Sequence, residues 1–127
     1  MKPVQRPEKF SGAHEERFKD GSLSCTGAFL DGRKTGEWLY FLKDGKLKAR
    51  GRWRDDLMEG PWIWFRANGQ KLQEGSFEGG AQAGLWRRWH ANGQLLDEGR
   101  YLGGKKKGLW RRWNTDGKLS SEKTHKG

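Results

Sequence analysis

Tryptophan recurs along this chain at a fixed interval. Successive members of one set lie 24 residues apart, at Trp38, Trp62, Trp86 and Trp110. Two sets of glycines keep the same interval, at Gly36, Gly60, Gly84 and Gly108 and at Gly27, Gly51, Gly75 and Gly99. An aromatic residue lies two positions after each glycine of the second set, at Phe29, Trp53, Phe77 and Tyr101. Self-similarity at this spacing predicts a repeat protein in which each copy is one supersecondary unit.

Each copy also contains a turn signal. An Asp-Gly or Asn-Gly pair lies between two apolar-containing segments, and its glycine is Gly45, Gly69, Gly93 or Gly117. Such a pair favours a β-hairpin with a type I′ turn, in which both central residues have positive φ. The sequence therefore predicts an all-β fold, a single-layer elongated meander of stacked 24-residue hairpins. Equivalent residues of successive units are then about 10 Å apart.

The expected array runs from residue 12 to residue 122 and contains about five units, of which the first and last are degenerate. His14 stands where the first unit would have its tryptophan, although Asp20-Gly21 keeps the turn position. Residues 1–11 are predicted to be a flexible N-terminal segment, and residues 123–127 a basic C-terminal tail. Atypical ends are typical of repeat arrays, whose terminal units need a polar outer face.

A single-layer sheet has no second layer against which to bury its side chains. Trp38, Trp62, Trp86 and Trp110 are therefore predicted to be structural, each covering its neighbour one repeat away and forming an aromatic ridge. A second set of aromatic residues follows three positions later, at Phe41, Phe65, Trp89 and Trp113. Strand alternation places this set on the other face, or after a bulge.

The unit is clearest in "GLWRRWHANGQLLDEGRY", which starts at Gly84. It resembles the MORN repeat, in the variant class of bacterial proteins described as YwqK-like antitoxins. The resemblance extends over roughly residues 12–122 and implies an elongated hairpin sheet that acts as an interaction module. The antitoxin description implies neutralisation of a toxin by binding. Arg50 departs from the pattern, because the later units have Glu74, Glu98 and Glu122 at this position.

Positive charge is concentrated in the C-terminal half. The chain has a net charge of +10, with 13 basic and 10 acidic residues in 1–63 and 13 basic and 6 acidic residues in 64–127. Arg87-Arg88 and Arg111-Arg112 stand where earlier units have Leu39-Tyr40 and Ile63-Trp64. Alternation predicts that Arg88 and Arg112 align on one face and that Arg87 and Arg111 align on the other.

Two interpretations of these arginines remain open. They form a solvated structural face, with stems over tryptophan rings and heads paired with the recurring glutamates, or they form a surface that recognises anions. The second interpretation predicts a partner-binding set together with a lysine cluster in the turn at one edge. The set comprises Tyr40, Trp64, Arg87, Arg88, Trp89, Lys105, Lys106, Lys107, Arg111, Arg112 and Trp113.

Protein binding is the favoured function, because tryptophan, tyrosine and arginine are enriched at interaction hot spots. We expect an inhibitor of the antitoxin or immunity type whose partner is another protein, such as an acidic toxin. The alternatives are a scaffold or membrane-surface adaptor that binds anionic lipid and, third, a binder of single-stranded nucleic acid. Open sheet edges also make homo-oligomers an expected outcome.

Catalysis is not supported by the sequence. The three histidines are scattered, and no phosphate-binding loop, nucleophile elbow or metal-ligand spacing is present. We therefore expect no enzyme activity, no cofactor and no metal. Cys25 is the single cysteine and excludes an internal disulfide. Since the sequence contains neither a secretory signal nor a long apolar segment, the expected location is cytoplasmic.

Overall fold

In the part of the chain that the structure describes, ten antiparallel strands form one sheet whose spatial order follows the chain. The computed structural model describes residues 10–126. The strands are β1 (Gly12–Arg17), β2 (Leu23–Leu30), β3 (Arg33–Phe41), β4 (Leu47–Arg54), β5 (Leu57–Phe65), β6 (Lys71–Glu78), β7 (Ala81–Trp89), β8 (Leu95–Leu102), β9 (Lys105–Trp113) and β10 (Leu119–His125). Five consecutive hairpins result, so the predicted all-β meander is confirmed. The described residues contain no helix that could span a membrane.

The two ends differ in how far the described structure reaches. The predicted flexible segment 1–11 falls largely on residues 1–9, which lie outside the described residues. Phe10 packs against Phe29, with ring centroids 6.1 Å apart, and its carbonyl oxygen accepts a hydrogen bond from the Gly32 amide. At the other end β10 continues to His125, beyond the expected boundary at residue 122.

The turn type predicted for the Asp/Asn-Gly pairs is wrong. In the turn that contains Asp44-Gly45 only the glycine has positive φ, at 89°. The Leu42 amide donates to the Lys46 carbonyl at 2.8 Å, which leaves a three-residue loop. A three-residue loop that ends in a left-handed glycine is the next most common hairpin connection after the two-residue turn. The Asp44 carboxylate accepts a hydrogen bond from the Lys46 amide and stabilises this loop.

Two-residue turns with positive φ at both positions occur instead between the hairpins. The Gly79-Gly80 turn has φ values of 57° and 86°, and the Asp55-Asp56 turn has values of 50° and 67°. Glu78 pairs directly with Ala81 across the first of these turns. The type I′ geometry therefore belongs to the links between units, where the sequence shows only polar and glycine-rich segments.

Each repeated tryptophan lies flat on a glycine of the preceding hairpin. A Cβ atom placed on Gly75 would lie 2.0 Å from the Trp86 ring, and the other three pairs give 2.0–2.1 Å. The Trp86 indole also donates to the Ser76 carbonyl at 3.1 Å. The pairs are Gly27 with Trp38, Gly51 with Trp62, Gly75 with Trp86 and Gly99 with Trp110. The tryptophans are 1%, 3%, 4% and 8% exposed in chain order, so all four are buried.

The tryptophans meet through other rings rather than directly. Tyr40 lies between Trp38 and Trp62, with ring centroids 6.2 and 6.1 Å from them. Phe29, Trp53, Phe77 and Tyr101 add edge-to-face contacts along the same ridge. The expected direct covering of one tryptophan by the next is therefore replaced by stacking on glycine with aromatic bridges.

The second aromatic set follows irregularities in the strand pairing, as expected. Register shifts occur between Tyr40 and Phe41, between Trp64 and Phe65 and between Arg88 and Trp89.

A double-mutant cycle tests the stacking. Gly75→Ala should lower the free energy of unfolding by roughly 3 kcal/mol, because the new methyl group would overlap the Trp86 ring. Trp86→Ala should cost about 3–5 kcal/mol. In the Trp86→Ala background, Gly75→Ala should cost almost nothing further, since the clash has been removed. Denaturant unfolding measures the four values, and strictly additive costs would contradict the proposed contact.

Candidate partner-binding surface

The predicted partner-binding residues divide between the two faces of the sheet. We define the tryptophan face as the side that bears the four buried tryptophans, and the opposite face as the other side. Neighbouring residues of a strand point to alternate faces, and ring contacts and cavity linings agree with this assignment. The tryptophan face carries Tyr40, Trp64, Arg88, Lys106 and Arg112. The opposite face carries Arg87, Trp89, Lys105, Lys107, Arg111 and Trp113.

Arg88 is held by a buried carboxylate on the tryptophan face. Its Nε and Nη2 atoms donate to the two carboxylate oxygens of Asp97 at 3.0 and 2.6 Å. Asp97 is only 6% exposed, whereas half of the Arg88 side chain is accessible. The hydrogen bond to Asp97 raises the pKa of the Arg88 guanidinium. A two-bond charged pair of this kind fixes the direction of the guanidinium plane.

Acidic and basic side chains alternate across the strands on the opposite face. The register places Arg87 between Glu74 and Glu98, and it places Arg111 between Glu98 and Glu122. Arg87 pairs with Glu98 at 2.9 Å, and Arg111 pairs with Glu122 at 3.2 Å. These ion pairs favour the interpretation that Arg87 and Arg111 form a solvated structural face, because their charged groups already have acidic partners.

Arg112 differs from the other three arginines. It is exposed and lies across from Asp97 in register, but Asp97 gives both of its oxygens to Arg88. Among residues 10–126, no carboxylate forms an ion pair with Arg112. The alignment of Arg88 with Arg112 through Asp97 agrees with the predicted column, although only Arg112 has a guanidinium available for a partner.

The lysine cluster lies elsewhere than predicted. Lys105, Lys106 and Lys107 begin β9, and the turn before them consists of Gly103 and Gly104. The Lys106 ammonium lies 4.6 Å from the centroid of the Trp110 ring. Because neighbouring residues of a strand point to alternate faces, Lys106 lies on the tryptophan face and Lys105 and Lys107 lie on the opposite face.

Tyr40 and Trp64 are half-buried bridges of the aromatic ridge. The Trp53 indole donates to the Tyr40 hydroxyl at 3.0 Å, and burial raises the pKa of that hydroxyl. Trp64 stacks on Trp62 and contacts Trp86, with ring centroids 5.7 and 5.8 Å apart. Both predicted binding residues therefore contribute to packing.

The sheet has concave regions on both faces that were not predicted from the sequence. A recess of about 250 Å³ lies on the tryptophan face between Trp86 and Trp110, and Asp97 and Lys106 help to line it. A larger groove of about 710 Å³ crosses the opposite face near Arg50. The one sequence feature that could have indicated the recess is Asp97, because the uncharged residues Ala49 and Gln73 occupy the equivalent positions of earlier units.

The titratable groups were compared with the requirements of a metal site and of a reactive thiol. Within the described part of the chain, no three histidine, cysteine or carboxylate side chains converge to hold a metal ion. Burial, with a hydrogen bond to Glu16, raises the pKa of the Cys25 thiol to about 11. Since the thiolate is the reactive form, Cys25 is a poor nucleophile at neutral pH.

The Arg88–Asp97 pair should respond asymmetrically to truncation. Arg88→Ala leaves a buried carboxylate without its cation and should cost about 2–4 kcal/mol of stability. Asp97→Ala should cost less, because the freed arginine can turn into water. Arg87→Ala is the matched control and should cost under about 1 kcal/mol, since that pair is partly exposed. Thermal unfolding of the three variants measures the loss of stability in each. Equal losses of stability for Arg88→Ala and Arg87→Ala would contradict the expected order.

Comparison with known families identifies the repeat. The MORN repeat variant family model matches three consecutive segments, at residues 58–78, 82–102 and 106–126. The first two segments begin in an odd-numbered strand and end in the next even-numbered one, and the third runs from β9 to one residue beyond β10, so each match corresponds to one hairpin. No curated protein matches the chain.

Several chains of solved structures match the present chain. One is a chain in the crystal structure of the GtfA/B complex bound to UDP and GlcNAc, which is 11% identical with a TM-score of 0.35. The match covers 96% of the present chain and 25% of that one, so this protein spans a quarter of that chain's length.

MORN repeats are generally modules that bind proteins or membranes. The matched segments include Arg88, Asp97, Lys106 and Arg112, so the candidate residues of the tryptophan face lie within recognised repeats. Residues 58–126 of this chain therefore belong to the MORN repeat variant family.

Proposed function

We propose that this protein is a non-enzymatic binding module that inhibits a partner protein, in the manner of an antitoxin or immunity protein. The observation that carries the proposal is the exposed Arg112 guanidinium, which has no acidic partner among residues 10–126 and lies beside the recess on the tryptophan face. Lys106 adds a second cation over Trp110. An acidic protein surface is the complementary partner for this arrangement.

The mixture of charge and aromatic surface favours a protein as the ligand. Arginine and tryptophan provide large contact areas together with directional hydrogen bonds, and they dominate the binding energy of many interfaces. On the tryptophan face these groups are positioned by the regular sheet rather than by loops. A preorganised surface loses less conformational entropy when it binds.

A membrane-surface adaptor is the second candidate, and the opposite face favours it. Arg100 and Lys107 are exposed and pair in register, while Leu85 and Leu109 beside them are 38% and 45% exposed. Cations next to exposed leucines suit an anionic lipid surface. Binding of single-stranded nucleic acid is a third outcome, which would depend strongly on salt.

Charge-matched variants of the two faces separate these functions. Lys106→Gln/Arg112→Gln removes two charges from the tryptophan face, and Arg100→Gln/Lys107→Gln removes two from the opposite face. Tagged proteins are used to capture partners from nuclease-treated lysate at low and high salt, and a captured protein is purified and assayed for inhibition. The tryptophan-face variant should lose the partner by about tenfold or more in affinity, whereas the opposite-face variant should retain it.

Two results would contradict the inhibitor proposal. One is recovery of nucleic acid alone, lost as the salt concentration rises. The other is selective loss of binding to phosphatidylserine vesicles in Arg100→Gln/Lys107→Gln, with no protein captured by the unmodified chain. The second result would support the membrane adaptor instead.

A further inference from the structure

The three intervals between successive buried tryptophans are filled differently. Tyr40 occupies the first interval, with ring centroids 6.2 and 6.1 Å from its two tryptophans. Trp64 occupies the second at 5.7 and 5.8 Å. Arg88 holds the equivalent position of the third interval, where the recess of about 250 Å³ opens between Trp86 and Trp110. Tyr101 contacts both of these tryptophans, with ring centroids 5.7 and 5.1 Å away, but the ring found two residues after the buried tryptophan in the earlier units is absent here.

The buried carboxylate of Asp97 determines where the Arg88 guanidinium lies. This guanidinium makes two hydrogen bonds to Asp97 on the adjacent strand β8, so the group is directed towards that strand. In the preceding interval the corresponding neighbours of Trp64 are Ala49 and Gln73, neither of which is charged. The Arg88–Asp97 pair therefore keeps a position open that the earlier repeats fill.

The lining of the recess indicates what would fit. The rings of Trp86, Tyr101 and Trp110 provide aromatic walls, and Gln73 and Gln82 supply polar groups. The volume is below the roughly 300–1,000 Å³ typical of small-molecule pockets, so a single side chain is the better match. Aromatic rings favour offset or edge-to-face contacts with one another, the geometry already present elsewhere in the ridge.

The charges around the recess indicate which residues should flank the inserted side chain in the partner protein. Arg88, Lys106 and Arg112 are basic, and Asp97 is the single acid on the tryptophan face across β8 and β9. The balance is positive, and among residues 10–126 neither Lys106 nor Arg112, both exposed, forms an ion pair with a carboxylate. An aromatic residue flanked by carboxylates would complement both the rings and the charge.

We propose that this recess receives one aromatic side chain from an acidic segment of the partner protein, and that this ring takes the place that Tyr40 and Trp64 occupy in the earlier repeats. The inference rests on the proposed protein-binding function and names the feature of the partner that is recognised. Arg88 and Asp97 act as positioning residues, because they hold the recess open.

Two short peptides test the recess directly. Acetyl-Glu-Trp-Glu-amide and acetyl-Glu-Leu-Glu-amide carry the same charge and differ only in the central side chain. NMR titration follows the indole N–H signals of Trp86 and Trp110, with Trp38 as a distant reference in the same protein. The tryptophan peptide should shift the first two signals and bind about tenfold more tightly than the leucine peptide. Equal affinities, or shifts spread evenly over all indoles, would overturn the proposal.

A filled recess provides the matched variant. Arg88→Trp/Asp97→Gln reproduces the pair found at Trp64 and Gln73 and leaves no buried charge without a partner. This variant should remain folded by circular dichroism and lose binding of the tryptophan peptide by about tenfold or more. Arg111→Gln on the opposite face is the control and should bind the peptide unchanged. Retained binding in the filled variant would overturn the proposal.

Failure of this inference differs visibly from failure of the proposed function. If the filled variant still captures and inhibits the partner while Lys106→Gln/Arg112→Gln does not, the recess plays no part and the inhibitor function stands. If no inhibited protein partner exists, the proposed function fails whatever the peptides show.

Discussion

The stacking of a tryptophan ring on a glycine of the preceding hairpin determines the structure of this protein. It gives a single-layer sheet a buried interior without a second layer, because each ring covers bare backbone and donates its indole hydrogen to a carbonyl of the same strand. Trp62, for example, covers Gly51 and donates to the Arg52 carbonyl at 3.0 Å. Packing and hydrogen bonding therefore join each hairpin to the next one through the same residue.

The same contact accounts for how the ridge is capped. Lys123 stands 24 residues after Gly99, so a side chain occupies the place where a further tryptophan would need bare backbone. The ridge closes there with His125, whose ring lies 6.4 Å from that of Trp110. At the first hairpin His14 replaces the tryptophan and packs edge-to-face on Phe29 at 4.9 Å. Histidines thus cap both ends of the aromatic ridge.

Much of the fold was predictable because the repeat imposes it. A fixed interval combined with alternation along strands places the tryptophans, the hairpins and the two arginine columns in register. The turn types were assigned wrongly because Asp-Gly favours several tight turns, and loop length decides among them. The Gly79-Gly80 and Asp55-Asp56 links both have the positive φ values of a type I′ turn, although their sequences differ.

The candidate site was less predictable for a physical reason. Adjacent residues such as Arg87 and Arg88 look equivalent in the sequence, yet they point to different faces and meet acids of different burial. Asp97 breaks the pattern set by Ala49 and Gln73, and only three-dimensional packing shows that it is buried and pairs with Arg88. Repeat periodicity specifies positions, whereas a single substituted position makes one unit structurally distinct.

Hydrogen exchange of the eight indole N–H groups, followed by NMR in the free protein, tests the central claim most directly. The indoles of Trp38, Trp62, Trp86 and Trp110 donate to backbone carbonyls beneath their own rings, so they should exchange far more slowly than those of Trp89 and Trp113. That pattern would show that stacking on glycine holds the hairpins together. Comparable rates for all eight would mean that these rings are not locked in place, and the account of the fold would be wrong.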